Sequence, residues 1–198
     1  MAMTRTLAAA LLACSVALPV AAHESVYFAD LSGPNEAPPN ASPGTGWARV
    51  TIDFDLVTMH VEASFSDLTG TTTASHIHCC TAAPDSGTAG VATQTPSFAG
   101  FPLGVTAGTY DHTFDMTLAA SYNAAFMTAN GGTVSGAFNA LAAGLDAHKA
   151  YFNVHTNAFP GGEIRGFLQP VPEPGTYALT LLGLAAVGAA ARHQRRTG

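Results

Sequence analysis

Two consecutive runs of strict alternation constrain this chain most. Ala48, Val50, Ile52, Phe54 and Leu56 alternate with Trp47, Arg49, Thr51, Asp53 and Asp55. Met59, Val61, Ala63 and Phe65 then alternate with His60, Glu62, Ser64 and Ser66. A period of two places the apolar set on one face of a strand and the polar set on the other. The short link between the runs predicts a hairpin. Further strands are predicted near Val26–Leu31, Ala74–Cys80, His112–Leu118, Tyr151–Thr156 and Glu163–Leu168. Pro- and Gly-rich stretches separate them, at Gly33–Gly46, Pro84–Gly90 and Pro96–Gly108. The Ala-rich segment Ala119–Ala147 predicts one or two short helices, interrupted at Gly131-Gly132. Short alternating strands with such turns predict an all-β domain, an antiparallel Greek-key β-sandwich or barrel. Apolar helical segments are predicted at both termini.

The two ends read as addresses. Residues 1–22 have a positive start at Arg5, an apolar run from Leu7 to Val16, and the small residues Val20-Ala21-Ala22 before His23. That is the pattern of a secretory signal peptide. At the other end, Val171-Pro172-Glu173-Pro174-Gly175 is followed by an uncharged run from Thr176 to Ala191 and then by Arg192, Arg195 and Arg196. The uncharged run is sixteen residues long, short of the ~20 of an ordinary spanning helix. The basic tail would stay on the cytoplasmic side. This order of Val-Pro-Glu-Pro motif, apolar run and Arg cluster resembles the PEP-CTERM sorting signal of Gram-negative bacteria, over residues 171–198. The resemblance implies an exosortase-type processing enzyme as partner and transient anchoring in the inner membrane. It also implies removal of the tail, then release or attachment at the cell surface.

Residues 23–170 remain as the domain. They carry 3 bases (Arg49, Lys149, Arg165) and 12 acids, so the net charge is 3 − 12 = −9. With no basic stripe, nucleic acid is excluded as a partner, and anionic polymers are disfavoured. No Gly-x-Ser-x-Gly elbow and no phosphate loop is present.

Four stretches, in order, resemble the CHRD domain. They are Phe28-Ala29-Asp30-Leu31-Ser32-Gly33 with Asn35-Glu36-Ala37-Pro38-Pro39, Ser75-His76-Ile77-His78, Tyr151-Phe152-Asn153-Val154-His155-Thr156, and Pro160-Gly161-Gly162-Glu163-Ile164-Arg165-Gly166. Cys79-Cys80 stands where many members of that family have Gly-Pro, which makes the adjoining loop distinct. A shorter similarity is to copper/zinc superoxide dismutases, in the order His76, His78, His155, Arg165. It implies a superoxide-dismutase-like Greek-key barrel with a copper site. The similarity departs between His78 and His155, where only His112 and His148 occur and neither sits in a matching motif. A two-metal site is not expected.

Strand geometry puts His76 and His78 on one face, opposite Ile77. His155 is out of phase with Phe152 and Val154, and Arg165 with Ile164 and Leu168. All four should point away from the core, where loops can cover them. Imidazole nitrogens suit copper, zinc, iron and nickel, so His76, His78 and His155 are the candidate ligands and copper or zinc the candidate metal. Simple solvation of these polar faces is the competing reading. Cys79 and Cys80 form a vicinal disulfide, pair between molecules, stay as thiols, or supply a ligand through Cys80, which is in phase with His76 and His78. Glu163 and Arg165 pair with each other or pin a loop over the histidines, and Arg165 could hold an anion. His60 should be solvated on its polar face, and His112 should lie at the core edge. Two functions follow. One is an exported binding module for a matrix component, polysaccharide or metal, touching the membrane only through its C-terminal segment. The other is a copper-dependent enzyme acting on superoxide or peroxide.

Overall fold

A computed structural model of the chain describes residues 23–172, together with 183–185 and 187. The signal-peptide segment and most of the C-terminal apolar run, with Glu173 and Pro174, lie outside the described residues. Among the described residues no helix is long and apolar enough to cross a membrane.

Eight antiparallel strands form one curled sheet, a half-barrel. They are β1 (Glu24–Ser32), β2 (Thr45–Asp53), β3 (Thr58–Ser66), β4 (Thr72–Cys79), β5 (Gly108–Asp115), β6 (Ala150–Thr156), β7 (Ile164–Phe167) and β8 (Gln169–Pro170). The order across the sheet is β4-β6-β7-β1-β2-β3-β5, with β8 beside β1. The chain therefore crosses from β3 to the far edge for β4 and returns to pair β5 with β3. Those crossings separate the topology from a simple meander. The all-β, antiparallel expectation holds, with two helices between β5 and β6, α1 (Ala124–Ala129) and α2 (Val134–Asp146).

The predicted hairpin is β2–β3, in continuous register from Thr45↔Ser66 to Asp53↔Thr58. Its apolar row is buried throughout, including Val50, Met59 and Val61, each fully inaccessible. Alternation overran the strand at one point. β2 stops at Asp53, because the Asp53 carboxylate accepts the backbone N–H groups of Asp55 and Leu56 and closes a turn. Leu56 is consequently 71% exposed. β5 likewise starts and stops earlier than its pattern suggested. Asp115 accepts the Thr117 N–H and hydroxyl, so the chain turns there and Leu118 is exposed. His112 keeps the phase of Tyr110 and Phe114 but is exposed, since among the described residues β5 pairs with β3 alone and lies at the sheet's edge.

The helices start on capping side chains, Asn123 accepting from Ala125 N and Thr133 from Gly136 N. Between them Gly131 and Gly132 take φ of 89° and 70°, a region that residues with a Cβ avoid. α2 buries Leu141 and Leu145 against the sheet, and its end is tied by the Tyr27 hydroxyl donating to Asp146 at 2.6 Å. Beyond β4, the 80–107 connection folds back along that edge. Ala92 N bonds Ile77 O, Cys79 N bonds Gly90 O, and Phe98 N bonds Ser75 O. The exposed strand edge is thus covered, and the polar face of β4 gains a roof.

Candidate metal centre

β4, β6 and β7 each send apolar side chains inward: Ile77, Phe152, Val154 and Ile164 are all fully buried. The opposite face holds His76 and His78 from β4, Tyr151, Asn153 and His155 from β6, and Arg165 from β7. Register sets the neighbours. His78 lies across from Tyr151, His76 from Asn153, and Asn153 from Arg165. This face is polar but not solvated. His76 is 7%, Asn153 2% and Arg165 5% exposed.

His76, His78 and His155 converge. Each offers a ring nitrogen, and these nitrogens lie within 4.8 Å of one another. The closest pair is Nε2 of His155 and Nε2 of His76, at 3.0 Å. Backbone carbonyls fix two of the rings. His78 Nδ1 lies 2.8 Å from Ala89 O, and His155 Nδ1 lies 2.9 Å from Pro160 O. A carbonyl can only accept, so both Nδ1 atoms carry the proton and both Nε2 atoms present lone pairs. An N–H anchored on a carbonyl, with the other nitrogen free, is how metal-binding imidazoles are oriented. His76 Nδ1 is buried without a partner at full hydrogen-bond geometry, with the Pro96 backbone beside the ring, and His78 Nε2 is likewise without a partner.

All three rings are held neutral. Burial pushes His76 down to about 3, and the neighbouring rings of His78 and His155 add to the shift. Burial also lowers His78, to about 4, against the opposing Ala89 bond. His155 is lowered by burial too. A neutral imidazole is the ligating form. Two buried nitrogens without partners would cost about 1–3 kcal/mol each in a purely structural cluster. A metal ion at ~2 Å from His78 Nε2 would remove that cost there. Three converging imidazole nitrogens are a donor set of the kind that first-row metal ions take.

Cys79 and Cys80 are joined as a vicinal disulfide. Cys80 is therefore no thiolate ligand, and the sulfurs turn away from the histidines to pack on Gly144 of α2. Glu163 and Arg165 do not pair with each other. Glu163 precedes β7, and its side chain turns to the loops. It accepts from the Ser42 and Thr156 hydroxyls and from the N–H groups of Thr69 and Gly70. Arg165 donates from Nε to Asn35 O and from Nη1 to Gly87 O at 3.0 Å. Its ionic partner is Glu36, at 3.8 Å. Tyr151 stands on β6 between β4 and β7. His78 stacks on it at 4.7 Å with planes 7° apart, and the Arg165 guanidinium lies 4.7 Å from its ring centre. Two of the five N–H groups of the guanidinium are thus taken by loop carbonyls, and its face lies over the Tyr151 ring.

Glu36 and Asn153 stand outside the candidate site set, although both lie in stretches that carry the CHRD resemblance. Glu36 is 6% exposed, and its Oε1 and the Asn153 Oδ1 are buried without partners. Burial raises Glu36 to about 7, against the opposing Arg165 charge and the Ala37 N–H. Asn153 was detectable by its phase with His155. Glu36 had no signal beyond its place in the Asn35–Pro39 stretch that carries the CHRD resemblance. His60 faces outward, half-buried, bonded to Asp111 at 2.8 Å. His148 lies 3.5 Å from Asp85. Among the described residues, His76, His78 and His155 form the one group of three such ligands.

Comparison with protein families matches residues 27–168 to the CHRD domain. The chain belongs to the CHRD domain family. The PEP-CTERM protein-sorting motif matches residues 170–196. This CHRD-domain protein is therefore exported and sorted by the exosortase route, with transient membrane anchoring in a Gram-negative bacterium. No curated protein and no solved structure matches the chain. Of the sorting motif, Val171 and Pro172 fall in the described part, where Val171 N donates to Val26 O at 2.7 Å. The signal thus leaves the domain beside β1.

Proposed function

We propose that the CHRD domain is an exported binding module, carried to the cell surface or released from it, that holds one copper or zinc ion through His76, His78 and His155. One observation carries this reading: two imidazoles locked by Ala89 O and Pro160 O aim their lone pairs into a buried cluster with the third. Three nitrogen ligands leave one coordination position, which suits either an exogenous ligand or turnover. The net charge of −9 over residues 23–170 favours holding over turnover of an anion, which such a field repels. The metal supplies a Lewis-acidic or redox centre; this chain's residues orient the rings, keep them neutral and exclude water.

The test is titration of the full chain with Cu(II) and with Zn(II), beside His78→Ala and His155→Ala variants. Wild type should take up one ion, and each variant should lose at least 100-fold in affinity. Equal uptake by all three proteins would show ordinary surface histidines. Superoxide turnover by the copper-loaded protein would move the reading to the enzyme.

A further inference from the structure

We infer that the outward face of β1, β2, β3 and β5 binds a neutral polysaccharide, with Trp47 and Phe28 as its stacking platform. This deepens the reading of the domain as an exported binding module and is independent of its metal. The outward rows are Phe28 and Asp30 on β1, Trp47, Arg49 and Thr51 on β2, His60, Glu62 and Ser64 on β3, and Thr109, Asp111 and Thr113 on β5. Most of these are polar. Trp47 and Phe28 depart from the pattern, 38% and 36% exposed on adjacent strands. Their planes lie 17° apart, with ring centres separated by 6.2 Å.

Near-parallel exposed rings suit the C–H face of a pyranose, whose slightly positive hydrogens meet the negative face of an aromatic ring. The hydroxyl rim of a sugar then needs acceptors and donors alongside. Asp30 and Ser64 are the register partners of Trp47, and Arg49 is that of Phe28. Beyond Arg49 the same face sinks into a cleft of about 490 Å³, lined by Thr51, Thr58, His60, Glu62 and Thr113. From Trp47 to Asp53 the strand runs about 20 Å, long enough for several linked rings.

The charge of this face selects among polymers. Arg49 is the sole Lys or Arg on the four strands, against Asp30, Glu62 and Asp111 on the outward rows. An acidic polysaccharide would be repelled, whereas a neutral one offers O–H donors to those carboxylates. A polypeptide that adds to a sheet pairs with an edge. Here the platform lies on β1 and β2, whose backbones are paired in continuous register.

Trp47 is the chain's one Trp, so its emission reports this face alone. The full chain, in a detergent without sugar, would be run in native gels containing hydroxyethylcellulose, mixed-linkage β-glucan, galactomannan, dextran, alginate or gelatin. We expect retardation by at least one of the four neutral polysaccharides, a shift of Trp47 emission on adding it, and none with alginate. Trp47→Ala should weaken retardation at least tenfold and Phe28→Ala several-fold, with thermal midpoints kept. If Trp47→Ala fails to fold, Phe28→Ser and the wild-type emission decide. No retardation by any neutral polysaccharide, or equal retardation of the Trp47 variant, would overturn the inference. Binding to gelatin instead would assign the face to a protein and overturn it as well. His78→Ala should lose metal and keep retardation, so failure of one reading leaves the other standing.

Discussion

Arg49, His60 and Glu62 on β2 and β3 resemble Arg165, His76 and Asn153 on β7, β4 and β6 in chemistry and in outward phase. Their surroundings differ. The first group stands at or near solvent, while the second is almost wholly buried. The difference is made by loops. Asn40 ties the 33–44 loop to Glu163 O, Arg165 holds Asn35 and Gly87, and the 80–107 connection bonds along β4. Among the described residues no such strap crosses β2 and β3. A polar row under tied loops must find partners or a ligand, because water no longer serves it; a polar row in the open need not.

The largest expected consequence is at Glu163, the carboxylate that fastens the straps. It is fully buried and accepts four hydrogen bonds, from Ser42, Thr69, Gly70 and Thr156. Glu163→Ala leaves those donors without a partner, and we expect a loss on the order of 3–5 kcal/mol in urea unfolding. Burial alone would raise its pKa, but the four hydrogen bonds outweigh it and the group is lowered. With the folded value below the unfolded one, its stabilisation is full above about pH 4.5 and is lost as pH falls through the folded value. Glu163→Gln should therefore flatten the acid limb of the wild-type stability curve. A variant within 1 kcal/mol of wild type would mean that the loops are held by other contacts.

The open half was legible because one rule governs it. Alternation over 47–66 matches the β2–β3 hairpin, apart from the Asx turn at Asp53. The strapped half was legible only in phase. Spacing placed His76, His78 and His155 on outward rows, and the structure brings them together. Nothing local indicated that Pro160 O and Ala89 O would orient the rings, or that Glu36 would answer Arg165. Glu36 and Arg165 are 129 positions apart; their meeting is a product of loop path, which hydrophobic period does not encode. The same limit explains Glu163, whose spacing from Arg165 suggested a pair that the start of β7 at Ile164 prevents.

A second, smaller effect sharpens the comparison at Glu36. Its folded pKa, about 7, lies above the ordinary 4.5. For an acid raised in this way, stabilisation of the protonated form is complete below pH 4.5 and disappears as pH rises through about 7. Glu36→Gln keeps the neutral form, and its amide can donate where Oε1 lacked a partner. The variant should gain on wild type between pH 5 and pH 8, by on the order of 2 kcal/mol. Paired urea melts at the two pH values check it. An unchanged difference would place the ionisation of Glu36 outside that window, and the loop over Arg165 would then be as open to solvent as the far half of the sheet.

The smallest effect should come from the matching acid on the open half. Glu62 reaches Arg49 at 3.5 Å, with the Arg49 side chain half exposed. The pair looks like the Arg165–Glu36 contact in distance and composition. It differs in that water solvates both ends, so its Coulomb gain is screened and the entropy of holding two long side chains offsets much of the rest. Glu62→Ala should change stability by less than about 0.5 kcal/mol, and added salt should shrink even that. A loss near 2 kcal/mol would break the comparison, for it would show that the outward face of β2 and β3 is as dry as the strapped one.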